Sequence, residues 1–492
     1  MKENHSESYD HVLKYTGLFG GVQGLVTLIG LVRNKAMALL LGTGGMGLNA
    51  LLLSFQNFAS QATSLGIAFG AVPKLSEYYE EGRLEKVDHY IRVIRLWSVV
   101  AGILGFVFCV LVSPLVDALS FNWGNHTLHY AMLAVAVALM AITGGETAIL
   151  KATRRLGALA RIQVFTAIGS VLASVPLYYF FYHSGVVPAI VLTTLLGMLT
   201  TIGYSLKCYP LHISFSREYF REGAGMLRLG LAFVLAAAVG SASEMAIRAY
   251  LNVVGGLEDV GLYNVGYMLT ITYAGMVFSS LDNDYFPRLS AVSKDVAKSN
   301  ETVNKQTEVS LLLLSPMLVA LLMMLPVLVP LLFSGDFMPV VGMAQVAVLA
   351  MYFKVMSMPI AYITLARSRS LSYLFLETSY FVVLLLGVVA GYGMSGLWGT
   401  GVAIVVAHAA EFVLVSSYAY FNYDYRVTKA IVCYLAVQLA VGVVAYIVSV
   451  LADGWGYWTA EAALTMVSTA YSVYVLRQKT HLWEALKRRL HL

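Results

Sequence analysis

Residues 47–76 read GLNALLLSFQNFASQATSLGIAFGAVPKLS, and residues 261–290 repeat the same frame as GLYNVGYMLTITYAGMVFSSLDNDYFPRLS. Each stretch begins with Gly-Leu, continues through an apolar segment long enough to cross a bilayer, and ends in Pro, a basic residue, Leu and Ser. The second copy begins close to half a chain length after the first. A half-length repeat in a membrane protein is typical of transporters, whose substrate site is expected between the halves. The repeat therefore predicts a two-lobed transporter.

The composition places the chain in a membrane. Hydrophobic residues make up 59% of it, charged residues 12%, and the mean hydropathy is +0.74. Soluble domains carry about twice that share of charged residues. Apolar runs of about 20 residues recur along the whole length, each enough to span a hydrocarbon core of roughly 30 Å. The first run is too long for a signal-peptide core, so we expect it to be retained as a span.

Nothing in the sequence indicates an enzyme. The three cysteines, Cys109, Cys208 and Cys433, have neither metal spacing nor the pattern of a disulfide framework. No glycine-rich phosphate loop, catalytic-metal motif or Ser-His-Asp set is visible. The net charge of +5 follows mainly from membrane topology. We therefore expect no catalytic residue, no bound metal, no cofactor and no nucleic-acid partner.

Fourteen apolar segments are predicted to span the membrane. When both termini are placed in the cytoplasm, all but four of the 32 Lys and Arg residues fall on the cytoplasmic side, in the terminal segments, in alternate linking segments or at the cytoplasmic ends of the spans. The outer loops hold acids instead, and a wrong number of spans would scramble this alternation. The predicted spans are 14–41, 45–70, 90–113, 129–151, 160–182, 187–206, 227–251, 262–281, 309–333, 341–365, 371–390, 396–419, 428–452 and 457–476.

The repeat divides these spans into six, six and a remaining two. An even number of spans per half makes the halves parallel, related by an axis along the membrane normal. The predicted fold is an all-α integral membrane protein with fourteen transmembrane helices, arranged as two six-helix lobes in parallel repeats plus a C-terminal helix pair. We expect an N-terminal lobe, a cytoplasmic linker, a C-terminal lobe, and a last pair of spans with a basic cytoplasmic tail, at 1–206, 207–226, 227–419 and 420–492.

Four basic residues remain inside predicted spans: Arg33, Lys35, Arg248 and Lys354. A charge that faces lipid costs several kcal/mol, so each is expected to face protein or water. Lys354 lies near the centre of its span, too far from either end to reach the headgroups easily. Arg248 follows Glu244 by one helical turn, so the two can form an ion pair, with or without a ligand role. Arg33 and Lys35 lie near the outer end of the first span, where long side chains can also extend to the headgroups.

Polar side chains at helical spacing give the first two spans a distinct face. In the first span this face is a narrow stripe of small and polar residues, and Arg33 and Lys35 flank the stripe about 200° apart. They therefore cannot both face one cavity, and we favour Arg33 as the residue that does. Contacts with the uncharged part of a cargo and hydrogen bonds between helices explain the polar residues equally well. The stripe of the first span consists of Thr16, Gly20, Gln23, Thr27, Gly30 and Asn34. The candidate cargo contacts are Gln23, Asn34, Asn57 and Gln61.

Acids also fall within the predicted spans, and two of them are candidates for ion coupling. Glu146 and Glu377 lie toward the cytoplasmic ends of their spans, where a solvated rim is the expected environment. Glu411 lies deep in the twelfth span, one turn after His408. A proton or Na⁺ site and a structural pair are both open interpretations there. Glu244 and Glu411 are therefore the ion-coupling candidates, and the coupling ion, H⁺ or Na⁺, is left open.

The excess of intramembrane bases predicts an anionic cargo. Arg suits phosphate because its planar fork makes paired, charge-assisted hydrogen bonds. An exporter of cationic drugs would need acids in its cleft and few bases. The residues themselves therefore predict a two-lobed transporter for an anion.

Several short motifs resemble one known family. Thr27–Arg33 and the run Ala38–Leu48 resemble the first span and turn of Wzx-type polysaccharide flippases, in the multidrug/oligosaccharidyl-lipid/polysaccharide exporter superfamily. Pro73–Ser76 and its copy resemble the ends of the second and eighth spans there, and Ser184-Gly185 and Ser395-Gly396 the turns that open spans six and twelve. The likeness covers nearly the whole chain in layout.

This resemblance implies a cargo and a location. The cargo would be undecaprenyl-diphosphate-linked oligosaccharide for O-antigen, capsule or exopolysaccharide, moved to the outer leaflet of the bacterial cytoplasmic (inner) membrane through a central cavity with a lateral opening for the lipid tail. Membrane lipids and polysaccharide polymerase or export proteins would be its partners. Arg33 matches a first-span arginine of related lipid II flippases and Arg248 is a similar candidate, whereas Lys35 and Lys354 rest on the physical argument alone. A lipid II flippase and a cation-coupled multidrug exporter remain the alternatives.

Overall fold

The computed structural model describes residues 3–122, 124–211, 217–272, 275 and 285–479, and within them the regular structure is helical. This confirms the predicted all-α membrane fold. Short 3₁₀ segments lie at Tyr182–Gly185 and Gly335–Phe337, and a π-helical segment follows α7 at Met268–Thr272. The helices are α1 (Glu3–Thr63), α2 (Ile67–Glu80), α3 (Leu84–Ser120), α4 (Thr127–Ala152), α5 (Leu156–Phe181), α6 (Val186–Cys208), α7 (Arg217–Tyr267), α8 (Val296–Leu332), α9 (Val340–Val348), α10 (Ala350–Ala366), α11 (Ser370–Tyr423), α12 (Lys429–Leu451) and α13 (Gly454–Lys479).

Three of the longest helices contain a break where a turn between spans is predicted. The breaks lie at Gly42 in α1, Gly256 in α7 and Ser395-Gly396 in α11. Gly42 and Gly256 have φ of 65° and 85°, a region that suits glycine because it lacks Cβ. They also occupy equivalent positions of the sequence repeat, each the same distance before the Gly-Leu that begins its copy. The breaks in α1 and α11 divide each helix into two segments of membrane-spanning length, whereas α7 ends 11 residues after Gly256.

Helices long and apolar enough to cross a membrane account for most of the described residues. Among those residues there are eight such helices, or nine when the pair α9–α10, bent by 42°, is counted as one span. The longest two, Leu156–Cys208 and Ser370–Tyr423, hold 53 and 54 residues, whereas about 20 suffice for one crossing. The number of fourteen spans stays a prediction.

The chain forms two compact units. The first consists of Met1–Gly261 with Leu332–Ser334, and the second of Leu262–Leu331 with Gly335–Leu492. In the first unit, α1, α4, α5 and α6 pack side by side, and α3 packs along α4. In the second unit, α11 packs on α9 and α10, and α12 packs on α13. The predicted domain boundaries at 206, 226 and 419 stay predictions.

Candidate functional site

A cavity of about 680 Å³ lies within the first unit, among α1, α4, α5 and α6. Its charged lining residues are Arg33 on α1 and Lys151 at the cytoplasmic end of α4. The described residues that line it include no Asp or Glu, so its charge is positive. A volume of this size encloses a ligand of drug-like dimensions. Its polar uncharged lining consists of Thr143, Thr147, Gln163, Thr166, Ser170, Thr193, Thr194 and Thr201. We call this space the basic cavity.

Arg33 lies at the wall of the basic cavity and has one hydrogen-bond donor without a partner among the described residues. Its side chain is half-buried, and its Nε atom is buried without a hydrogen-bond partner among the described residues. A buried donor left unpaired costs free energy that a ligand acceptor would recover. Gly30, one turn earlier on α1, also lines the cavity, which leaves room beside the guanidinium. Of the stripe predicted on the first span, Gly30 is the residue that lines the basic cavity.

The hydroxyl groups of the basic cavity face it mainly as acceptors. Thr143 donates to the carbonyl oxygen of Leu139 at 2.8 Å, and Thr201 to that of Gly197 at 2.7 Å. Thr194 bonds the preceding turn of its helix in the same way. Because these three hydroxyl protons are used inside their own helices, lone pairs of their oxygen atoms remain for a ligand. The cavity thus offers cations for phosphate and acceptors for sugar hydroxyls.

The other predicted contacts of the first two spans do not line this cavity. Lys35, Gln23, Asn34, Asn57 and Gln61 are absent from its lining, and Gln23 and Asn57 are exposed. Their roles as cargo contacts stay predictions.

Two polar residues near the basic cavity were not singled out from the sequence. Gln56 is 3% exposed, and its amide nitrogen lies 3.4 Å from the Thr194 hydroxyl, on the cavity wall. Lys151 counts as a loop residue by its position at a span end. A helical wheel of the second span would have placed Gln56, rather than Asn57, on the buried face. Lys151 has no such signal, because its orientation depends on how α4 packs.

The predicted ion pair between Arg248 and Glu244 is confirmed. Arg248 Nη1 lies 3.1 Å from Glu244 Oε2 and also donates to the Glu244 carbonyl oxygen at 3.2 Å. Arg248 is 8% exposed, whereas the Glu244 side chain is 37% exposed, so the pair joins a buried guanidinium to a partly exposed carboxylate. Its positive charge is therefore already neutralised in this arrangement.

Lys354 belongs to a cluster of four ionisable residues in the second unit, which we call the charged cluster: Lys354 on α10 and Glu377, His408 and Glu411 on α11. His408 Nδ1 lies 2.8 Å from Glu411 Oε2, and Lys354 interacts electrostatically with both His408 and Glu377. The other ring nitrogen of His408 lies 3.2 Å from the Tyr380 hydroxyl. The structure thus places Glu377 among the charged residues of this cluster rather than on the solvated rim that we expected.

The predicted solvated rim is also wrong for Glu146. It is 4% exposed, and its two carboxylate oxygens bind Arg95 Nε at 2.7 Å and Nη2 at 3.2 Å. Arg95 also donates to the carbonyl oxygens of Tyr209 and Pro210, and the Ser205 hydroxyl donates to Glu146. The prediction was wrong because the partner, which is distant in sequence, turns inward from α3.

Comparisons with known proteins give both a family and a fold. A family model described as "Polysaccharide biosynthesis protein" matches residues 36–342, which is more than half of the chain. No curated protein matches the sequence. An inward-facing multidrug resistance MATE family transporter of the MOP superfamily is 14% identical with a TM-score of 0.67, covering 81% of this chain and 94% of its own.

Two further solved structures share the fold. The lipid II flippase MurJ in an inward closed conformation is 12% identical with a TM-score of 0.67, covering 94% of this chain and 99% of its own. A MOP superfamily transporter from Pyrococcus furiosus, described by the reverse polarity of its binding pocket, is 13% identical with a TM-score of 0.58 and coverages of 84% and 96%. At such identities these likenesses establish the fold of a MOP superfamily transporter.

Proposed function

The chain belongs to the polysaccharide biosynthesis protein family, and we propose that it is a flippase for undecaprenyl-diphosphate-linked oligosaccharide. It would move this cargo from the cytoplasmic to the outer leaflet of the bacterial inner membrane by alternating access. The oligosaccharide would be a unit of O-antigen, capsule or exopolysaccharide. Membrane lipids would surround the lipid tail, and polysaccharide polymerase or export proteins would receive the product.

The observation that carries this proposal is the basic cavity, with Arg33 and Lys151 and without an acid among its described lining residues. A diphosphate brings charges that Arg and Lys bind with short, charge-assisted hydrogen bonds. The unpaired Nε of Arg33 supplies a donor for one phosphate oxygen. Threonine oxygens with free lone pairs supply acceptors for the hydroxyl groups of the adjoining sugar. A cationic drug would meet repulsion in the same space.

The remaining bases are proposed to act at other steps. Arg248 and Lys354 stay candidates for the anionic groups of the cargo, and Arg248 would have to exchange its partner Glu244 for them. Lys35, with Gln23, Asn34, Asn57 and Gln61, would contact the cargo outside the basic cavity. These assignments follow from charge and position in the sequence.

We assign ion coupling to Glu244 and Glu411. The charged cluster holds two carboxyl groups, one ammonium and one imidazole, so full ionisation of both acids with a neutral imidazole leaves a net negative charge. Uptake of one cation, H⁺ or Na⁺, would balance that charge inside the membrane. Glu244 would become available in the same way whenever Arg248 turns to the cargo.

The test combines deletion with reconstitution. Deleting the chain should leave undecaprenyl-diphosphate-linked oligosaccharide in the cytoplasmic leaflet, and purified protein in liposomes should move that lipid between leaflets. Arg33→Gln should reduce the movement by tenfold or more. Arg154→Gln serves as the matched control, because Arg154 is an exposed arginine of the first unit that does not line the basic cavity. Accumulation of lipid II would instead assign the cell-wall precursor as the cargo. Unchanged export by Arg33→Gln would remove the basic cavity from the transport path.

A further inference from the structure

Glu461 is a buried acid that the function proposed above does not use. It lies two turns into α13, is 0% exposed, and both of its carboxyl oxygens lack a hydrogen-bond partner among the described residues. Other acids within membrane-spanning helices are partnered: Glu146 with Arg95, Glu244 with Arg248 and Glu411 with His408. Glu461 thus differs in kind from the acids that form ion pairs.

The surroundings of Glu461 tie α13 to other helices of the second unit. Tyr457, one turn earlier on α13, donates its hydroxyl to the carbonyl oxygen of Met323 on α8 at 2.8 Å, and it also bonds the Gln345 side chain on α9. On the α12 side, Gln438 is fully buried and bonds Ser468. The carboxyl group is therefore enclosed where α13 packs against its neighbours.

The enclosure supplies no positive charge. Tyr457 is the titratable group that interacts with Glu461, and its own partners are the Met323 carbonyl of α8 and Gln345 of α9, which carry no charge. Within the described ranges, no Lys, Arg or His forms an ion pair with Glu461. An ionised carboxylate in such an apolar place is costly, whereas the protonated acid is tolerated. The packed arrangement thus demands a bound proton.

We propose that Glu461 is a proton-binding site inside the membrane and that its proton holds α13 against α8 and α9. The proton comes from water, binds one carboxylate oxygen, and returns to water when α13 moves away. Ionisation of Glu461 favours that movement, because water can then solvate the charge. The site is independent of the basic cavity and of the cargo, so either proposal can fail without the other.

Infrared spectroscopy on the purified full chain in lipid nanodiscs tests the bound proton. For a water-exposed Glu at pH 7, the ionised form outnumbers the protonated form by a factor of about 500. We expect instead a carbonyl stretch of a protonated acid in the wild type that Glu461→Gln removes. A carboxylate band at pH 7 that disappears in the variant would overturn the proposal. Glutamine keeps the shape of the protonated side chain, so a variant that fails to fold would also contradict it.

Hydrogen exchange tests the docking of α13. Raising the pH should lower the protection of residues 454–465 in the wild type, relative to Glu461→Gln at the same pH, because the glutamine variant cannot ionise. Glu411→Gln is the matched control, since that carboxyl already has His408 as partner. It should leave the pH dependence of 454–465 unchanged. If wild type and Glu461→Gln protect these residues equally at every pH, the proton on Glu461 does not hold α13 against α8 and α9.

Discussion

Gly47 and Gly261 each lie against the main chain of the helix that carries the other. A Cβ on Gly47 would lie 1.9 Å from the carbonyl oxygen of Leu257, and one on Gly261 would lie 2.0 Å from that of Thr43. Thr43 and Leu257 occupy equivalent positions of the repeat, as do the two glycines. The contact is therefore reciprocal between the two copies. Both close approaches lie within the first unit, at equivalent positions of the sequence repeat.

This crossing predicts that Gly47→Ala and Gly261→Ala destabilise the protein. The added methyl would meet a main-chain oxygen, which can move only with its helix, and overpacking of this kind costs about 1–3 kcal/mol. Gly44→Ala is the matched control, because the space beside Gly44 is open. Thermal unfolding in detergent should show a lower Tm for the two crossing variants and no loss for the control. Equal Tm values for all three would mean that the crossing relaxes freely.

Arg33→Lys tests whether the basic cavity needs a guanidinium or only a charge. Lysine keeps the positive charge but loses the planar fork and the Nε donor, which has no partner in the described structure. We expect weaker binding of a lipid diphosphate by about tenfold, since a hydrogen bond to a charged group contributes about 1.5–3 kcal/mol. Calorimetric titration measures this. Arg154→Lys is the control that should leave affinity unchanged, because Arg154 is exposed and lies outside the basic cavity. Full affinity in Arg33→Lys would show that charge alone suffices.

The sequence predicted those parts of the molecule that depend on local pattern. Span-length apolar runs and the breaks at Gly42 and Gly256 follow from bilayer thickness and backbone sterics, and the Arg248–Glu244 pair follows from one helical turn. Pairing across helices was not predictable. Arg95 finds Glu146 on another helix, so both were assigned to solvent by their position.

Glu461 shows a second limit of the sequence prediction. Glu461 lies within the predicted span 457–476 but was not singled out there, and nothing in the sequence shows that its carboxyl group is buried without a partner. Lys151 shows the converse, since its position at a span end gives a sufficient reason for a charge and hides its place in the cavity lining. Orientation depends on packing, which a single sequence does not contain.

The buried pair of Arg95 and Glu146 predicts a large loss of stability when one partner is removed. Glu146→Gln leaves a guanidinium at 4% exposure without its counter-charge, which costs about 3–5 kcal/mol. Combining Arg95→Met with Glu146→Leu should recover part of that loss, because both charges are then gone. A double-mutant cycle measured by chemical unfolding gives the coupling.

An exposed ion pair provides the control for this cycle. Arg154 and Glu80 form an ion pair with side chains 69% and 54% exposed, so Arg154→Gln should cost no more than about 1 kcal/mol. If Arg154→Gln and Glu146→Gln lower the free energy of unfolding by similar amounts, burial does not determine how much stability is lost when an ion pair is broken.

The start of α7 is held to α2 and α3 by a contact that should depend on pH. Glu222 lies 3.0 Å from Lys74 Nζ and 2.8 Å from His89 Nε2, outside the predicted spans. Burial acts to raise the pKa of Glu222, but the hydrogen bonds from Lys74 and His89 outweigh it, and the pKa is lowered. A lowered pKa in the folded state means that the contact stabilises above the usual Glu range and is lost as the pH falls through the lowered value.

Hydrogen exchange of residues 217–226 should therefore be slow at neutral pH and accelerate on acidification, beyond the intrinsic change of exchange rate. Glu222→Gln should remove this extra acceleration and raise exchange at neutral pH, by an amount that corresponds to about 1 kcal/mol because the pair is partly exposed. Glu85→Gln, at an exposed position in the first turn of α3, is the matched control and should behave as the wild type. If Glu222→Gln and Glu85→Gln protect 217–226 equally at every pH, Lys74 and His89 do not hold α7 through Glu222, and apolar contacts such as Met226 with α2 and α3 hold it instead.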